Sequence, residues 1–200
     1  MTSPRSFSDR LNRRTAVIGL TSGAIGAGAA GWAGTALAAD DTYDQDSILK
    51  AATDFLGSTT EGLAKVIERV FKEQGQPNGY MQGEEASAAI TVGLRYGDGE
   101  LVMKSGARRK VFWAGPSVGI DLGANASKVF TLVYHLPKAD DISERFPGVD
   151  GSLYYIGGAG VNYQRRGGIT LAPIRVGVGL RGGASVGYLH YRREKSLNPL

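Results

Sequence analysis

The sequence contains no cysteine, and only two of its 200 residues are histidine. The first absence excludes disulfide staples, thiolate nucleophiles and cysteine-held metals. The second leaves little imidazole for a metal centre. His135 and His190 each stand where a strand-like run ends, with no Cys, His or Asp at ligand spacing. No metal site is expected. Long apolar runs are also missing beyond residue 38, so the remainder holds no membrane-helix segment. Charge of one sign is scarce too. The net charge is +4, but Arg5, Arg10, Arg13 and Arg14 are balanced there only by Asp9. Setting those five aside leaves 19 basic and 18 acidic residues. The basic balance belongs to the leader, and no nucleic-acid partner is expected.

What is present begins with an address. A positive segment ends at Arg13-Arg14, and a charge-free Gly/Ala-rich stretch runs from Ala16 to Leu37. Ala36-Leu37-Ala38 is an A-x-A cleavage signal, followed by Ala39 and the acidic pair Asp40-Asp41. Residues 1–38 therefore read as a cleaved signal peptide, and the chain as exported. The arginine pair and mild hydrophobicity point to twin-arginine translocation. Thr15-Ala16-Val17-Ile18 lacks the usual Phe, which keeps the general secretory route as the alternative. No cysteine follows the apolar stretch, so the leader is not a lipoprotein signal.

Residues 39–78 read as a helical segment. Ile48, Ala52, Phe55 and Leu56 mark one apolar face; Leu63, Val66, Ile67, Val70 and Phe71 mark another. Thr42-Tyr43-Asp44-Gln45 and Ser58-Thr59-Thr60-Glu61 both fit a capping box, with Gly57 between them. Gly75 and Pro77 end the helical pattern. From residue 79 to 200 the grammar changes to a period of two. Turns are expected at Gly97-Asp98-Gly99, at Ser105 to Arg109, at Gly123 to Ser127 and at Arg165-Arg166-Gly167-Gly168. A long strand is expected over 152–163, and an edge or bulge at Pro173. The run Ile174 to Tyr191 reads as a hairpin with a Gly-rich reversal, and Gly177 and Gly179 on one face suggest close approach of another backbone. Residues 129–136 are apolar on both faces, so the strand there should be covered on both sides, one cover being the helices. The expectation is an all-β fold with an N-terminal helical segment: a small antiparallel barrel of eight strands, with a helix packed on it.

Several motifs fail in their own context. Gly115-Pro116-Ser117-Val118-Gly119 and Gly183-Ala184-Ser185-Val186-Gly187 match G-x-S-x-G. A nucleophile elbow needs a strand, a turn and then a helix, whereas both run on into strand pattern. Gly177-Val178-Gly179-Leu180-Arg181-Gly182 matches the dinucleotide fingerprint, again without a helix to receive the phosphates. Glu84, Glu85 and Asp121 are the carboxylates that a glycan hydrolase would need; as strand neighbours, Glu84 and Glu85 face opposite ways and cannot act as a pair. Tyr80, Trp113, Tyr154, Tyr155, Tyr163, Tyr188 and Tyr191 are the aromatics available for a ligand groove. No catalytic residue and no cofactor are expected.

Taken in order, six blocks carry a family resemblance. They are Pro77-Asn78-Gly79-Tyr80 with Gly83-Glu84-Glu85; Gly93-Leu94-Arg95-Tyr96-Gly97; Trp113-Ala114-Gly115-Pro116-Ser117; Gly148-Val149-Asp150-Gly151-Ser152; Pro173-Ile174-Arg175; and Gly187-Tyr188-Leu189. Over about residues 42–200 the chain resembles the EipA family, envelope integrity protein A. The resemblance implies a periplasmic protein of Gram-negative bacteria with an eight-stranded barrel. It also implies a role in envelope integrity and stress resistance, connected with surface polysaccharide. It assigns no catalytic or binding residue. The expected function is non-enzymatic envelope maintenance, with envelope lipid, surface polysaccharide or peptidoglycan as the partners. The alternatives are a lipid- or glycan-binding barrel and, third, a glycan hydrolase.

Overall fold

The computed structural model describes residues 41–57, 61–121, 127–176 and 187–196; within these ranges the side chains of 87–92 and 117–121 are not described. Two helices come first, α1 (Gln45–Leu56) and α2 (Glu61–Gln74). Asp44 caps α1: its carboxylate accepts the Ser47 backbone N–H at 2.8 Å. The capping box placed at Thr42 is therefore shifted two residues. Thr42 instead donates to Gln76 Oε1 at 2.7 Å. Gly57 ends α1 in the left-handed region, φ 78°, where a Cβ would be strained. The second proposed capping box, Ser58 to Thr60, lies outside the described residues. Gly75, φ 79°, ends α2 as expected.

Nine strands are described, mostly short: β1 (Gly79–Met103), β2 (Arg108–Asp121), β3 (Ser127–Tyr134), β4 (Arg145–Pro147), β5 (Tyr154–Ile156), β6 (Ala159–Val161), β7 (Gln164–Arg166), β8 (Ile169–Val176) and β9 (Tyr188–Arg192). All pairings are antiparallel, in the order β4-β9-β2-β1-β3-β8-β6-β5, with β7 also on β8. The result is one curled antiparallel sheet of nine described strands rather than eight even ones, with two helices before it.

Three readings of the sequence need correction. Gly97-Asp98-Gly99 does not turn; β1 passes straight through it for 25 residues and reverses at Lys104 to Ala107. Those glycines serve close approach instead. A Cβ on Gly97 would enter the Trp113 indole, and one on Gly99 would strike the backbone of Gln82 and Gly83. The two halves of β1 thus come face to face. The first half pairs β3 (Glu85↔Ser127 to Gly79↔Val133), and the second pairs β2 (Ala89↔Asp121 to Val102↔Arg108).

The long strand over 152–163 is broken as well. Gly157 and Gly158 take φ 54° and 86°, and β5 turns back into β6 there. The same pair of angles, 55° and 86°, recurs at Gly167-Gly168 between β7 and β8. Two glycines in succession supply the two positive φ values of a tight hairpin. Pro173, expected at an edge or bulge, sits not at an edge but in an interior strand, opposite Thr131 of β3. On the other side of β8 it falls between two ladders: β7 covers Ile169–Leu171 and β6 covers Ile174–Val176. A residue without an N–H is tolerated at such a break.

The hairpin read over 174–191 has its turn outside the described residues, as do Gly177 and Gly179. Among the described residues β8 and β9 do not pair with each other; β9 pairs β2 and β4.

Every residue of β3 from Val129 to Tyr134 is buried. Phe130, Leu132 and Tyr134 pack with Ile48, Leu63, Val66, Ile67 and Val70 of the helices. Val133 joins a second cluster with Met81, Leu101, Trp113, Ile142, Phe146 and Tyr191. The alternation of a strand sends successive side chains to opposite sides, so both sides are covered.

Candidate functional site

Inside the curl of the sheet lies a group of charged residues. Glu85 closes the first half of β1, Arg95 lies within the second, Trp113 is on β2 and Arg175 is on β8. Arg95 pairs in register with Gly115 and Trp113 with Gly97, which puts both side chains over one face of the β1–β2 ladder. Because β1 brings its halves face to face, Glu85 reaches the same space. Glu85 is 3% exposed, and Arg95 and Arg175 are each 7% exposed.

The geometry is that of a saturated carboxylate. Arg175 donates from Nε to Oε1 at 2.9 Å and from Nη2 to Oε2 at 3.1 Å, a two-pronged contact. Arg95 Nε stands 3.2 Å from Oε1. The Trp113 indole N–H donates to Oε2 at 3.0 Å. Arg175 also donates from Nη1 to Asn162 Oδ1 at 3.1 Å. Next to this group, Tyr191 donates to Gln164 Oε1 at 3.1 Å.

Burial by itself pushes the Glu85 carboxyl up. The guanidiniums of Arg175 and Arg95, with the hydrogen bonds from Arg175 and Trp113, outweigh it and hold the group below its usual range. Glu85 is therefore ionised in the fold. Burial raises the Tyr191 phenol, which stays protonated as a donor.

The other singled-out residues scatter. Glu84 is exposed and faces away from Glu85. Ser117 and Asp121 sit on β2, opposite Gly93 and Ala89. The first G-x-S-x-G match thus runs along a strand with no helix after it, while most of the second match and the dinucleotide-like run lie outside the described residues. His135 is exposed at φ 57° just after β3. His190 accepts from Arg192 Nε at 3.2 Å and Arg145 Nε at 3.4 Å. Burial, with those two arginines, lowers its pKa, so the ring is neutral when it accepts. Among the described residues, no three His, Cys, Asp or Glu gather as a metal site would need. Arg13, Arg14, Ala36, Ala38 and Ala39 lie outside the described residues.

Of the aromatics proposed for a groove, most are core. Tyr80 stacks on Phe130, centroids 5.2 Å apart, and Tyr191 packs edge-on against Phe146 at 5.6 Å. One concave site, with a volume of about 350 Å³, is lined by Trp113 together with two aromatics not singled out, Tyr96 and Phe112, and a second, of about 590 Å³, is lined by Tyr154. In the first, Ala114 lies between Tyr96 and Phe112, and Glu84, Asp98, Arg192, Glu194 and Lys195 form the rim. Arg95 and Arg175 were legible only as outward residues of half-buried strands. A signal was there: Arg175 interrupts an apolar run, Ile169 to Val176, with little room for a solvent face.

The family model of EipA, envelope integrity protein A, matches residues 41–200. A crystal structure of a beta-barrel-like, uncharacterized protein from Brucella abortus is similar to this chain, with a TM-score of 0.74 and 42% identity. The similarity covers 80% of this chain and 99% of that one. No curated protein matches. Four of the sequence blocks that carry the resemblance supply the buried group: Glu85, Arg95, Trp113 and Arg175.

Proposed function

The chain belongs to the envelope integrity protein A family, and from that premise we propose that it maintains the cell envelope from the periplasm without catalysing a reaction. The observation that carries the second half is the state of Glu85. A general acid needs a proton to give, and a general base needs free acceptor capacity within reach of substrate. Glu85 is ionised, capped by two guanidiniums and an indole, and closed off from solvent. Such a group organises a core. Among the described residues, no helix is long and apolar enough to cross a membrane. Export rests on Arg13-Arg14 and on the Ala36-Leu37-Ala38 signal. A closed barrel is the finer form of the fold, supported by the bridge Gly148↔Gln164, which links the chain just past β4 to β7.

The test is complementation. A deletion strain should be sensitive to detergent or cell-wall antibiotics, and the wild-type chain should restore resistance. Ser117→Ala, Asp121→Asn, His135→Gln and His190→Gln should each restore it at normal abundance. A variant that folds and accumulates normally yet fails would overturn the non-catalytic reading. N-terminal sequencing of the periplasmic form should begin at Ala39 or Asp40; full-length chain in the cytosol would sink the export reading. The hollow beside Trp113 favours a second reading, in which the barrel carries a ligand, an envelope lipid or a glycan.

A further inference from the structure

The outer face of the β1–β2 ladder is apolar where an outer face is ordinarily polar. Arg95 and Trp113 turn into the curl, so alternation puts Leu94 and its cross-strand partner Pro116 on the opposite face. Leu94 is 42% exposed there. Two residues past the Ala114↔His190 pair, the register sets Pro116 beside Tyr188, and Tyr188 pairs with the exposed Pro147 of β4. One apolar row thus crosses four strands, about 14 Å from end to end. Along the ladder the register continues the same set with Val92↔Val118 and Ile90↔Ile120. The alternate positions, Thr91↔Gly119 and Gly93↔Ser117, hold polar or small residues.

A sheet with one face in water puts its apolar set inward and its polar set outward. Here the order is reversed, because the inside of the curl holds Glu85, Arg95 and Arg175 instead. Polarity also changes along the ladder. After the three aliphatic pairs come Tyr96↔Ala114 and Asp98↔Phe112, and then Glu100↔Lys110. Aliphatic, aromatic, charged is the order met on passing from the hydrocarbon of a bilayer to water. The aliphatic pairs span about 14 Å. The hydrocarbon core is about 30 Å thick, so they match the depth of one leaflet and cannot cross both. The border of the row is basic on its β4 side. The exposed Arg145 guanidinium lies over the Tyr188 ring, 5.5 Å from its centroid, and its hydrogen bond goes to His190 rather than to a carboxylate. Lys110 likewise lies over Phe112 at 5.1 Å. Aromatic rings with cations beside them suit the headgroup level of a membrane. We infer that this face docks on an anionic lipid bilayer, with the apolar row entering one leaflet and Arg145 meeting a lipid phosphate. Docking of this kind goes beyond the envelope role and makes no use of the hollow at Ala114.

The test mixes the periplasmic form of the chain with vesicles of phosphatidylcholine, alone or with phosphatidylglycerol, and reads the bound fraction by flotation. The parent should float with the mixed vesicles. Leu94→Asp and Pro147→Asp, at the two ends of the row, should each lower the partition coefficient about tenfold or more, since a carboxylate resists entry into hydrocarbon. Arg145→Gln should lower it about fivefold on the anionic vesicles and leave the neutral ones unchanged. Leu153→Asp alters a residue as open as Leu94, at 47% exposure, but outside the row, and should float like the parent. Leu94 and Pro147 are exposed and belong to neither core cluster, so both variants should keep the parent's circular dichroism and melting temperature. Bilayer docking is overturned if the parent does not float, if both Asp variants float as it does, or if Leu153→Asp loses as much as they do. Arg145→Gln floating like the parent on anionic vesicles overturns the phosphate contact. A parent that sediments as a dimer, dissolved by Leu94→Asp, gives the face to a second copy and overturns the bilayer. The envelope role fails separately, as a deletion strain with no detergent sensitivity.

Discussion

On the helix side of β3 and β8 the contacts are apolar: Phe130, Leu132, Ala172 and Ile174 meet Ile48, Leu63, Val66, Ile67 and Val70. On the inner side the same two strands present Val133 and Leu171, but also Arg175, locked to Glu85. The first layer is held by area removed from water, each fully buried side chain contributing roughly 1.5–3 kcal/mol. Such contacts tolerate exchange among residues of similar volume. The second depends on charges that cannot be removed one at a time. A buried ion pair gains little over an apolar filling, yet losing one partner strands the other. The two sides of one sheet should therefore answer differently to substitution.

The largest effect is expected at Glu85. Glu85→Gln leaves two buried guanidiniums facing a neutral amide, and should cost about 3–5 kcal/mol by urea denaturation. Replacing Glu85, Arg95 and Arg175 together by Leu, Met and Met should recover most of that loss. If the single change is as mild as the triple, the inner side is no different from the outer one.

Acid probes the same contrast without mutation. The folded pKa of Glu85 lies below its ordinary 4.5. Its contribution is therefore complete above about pH 4.5 and is lost as pH falls through the depressed value. The wild-type chain should lose stability in that window more steeply than the triple variant. Parallel pH profiles would remove Glu85 from the account.

Next in size is Ile67→Ala in the helical layer, expected to cost about 2–5 kcal/mol, with Ile67→Val near 1 kcal/mol. This graded response to volume is what an apolar layer predicts, and the melting series checks it. The smallest effect is expected at Gly57→Ala. The site has space, but φ is 78°, so the strain alone should cost about 1–2 kcal/mol. A neutral result there would show that the α1 terminus relaxes on substitution.

The helical half was the more legible in sequence. Ile48, Ala52, Leu63, Val66, Ile67 and Val70 repeat at helical spacing, and those positions are buried. The two-sided burial of β3 was equally plain, since Val129 to Leu136 offers no polar face. Glycine was where the reading divided. Gly167-Gly168 turns a hairpin where the sequence pattern breaks; Gly157-Gly158 does the same inside an alternating run that hides it. Gly97 and Gly99 looked like a turn and are close-approach positions, because glycine answers both needs and only the partner, Trp113 or Gln82, tells them apart. The buried charges were the least legible. Period-two reasoning puts charged residues outside, and that rule fails where a curled sheet makes its concave side an interior. Nothing local to Glu85 announces Arg175.

That separation has a kinetic consequence. Glu85 and Arg175 are 90 residues apart in the chain. The Gly-Gly hairpins and the two helices close over a few residues and can form early. The ion cluster has to wait until β8 docks on β3, because long loops are slow to close. Its bonds should be weak or absent in the folding transition state. Glu85→Gln should then leave the refolding rate nearly unchanged and speed unfolding roughly a hundredfold or more. The cluster would set how long the folded chain lasts rather than how fast it arrives, and stopped-flow refolding and unfolding in urea separate those two clocks.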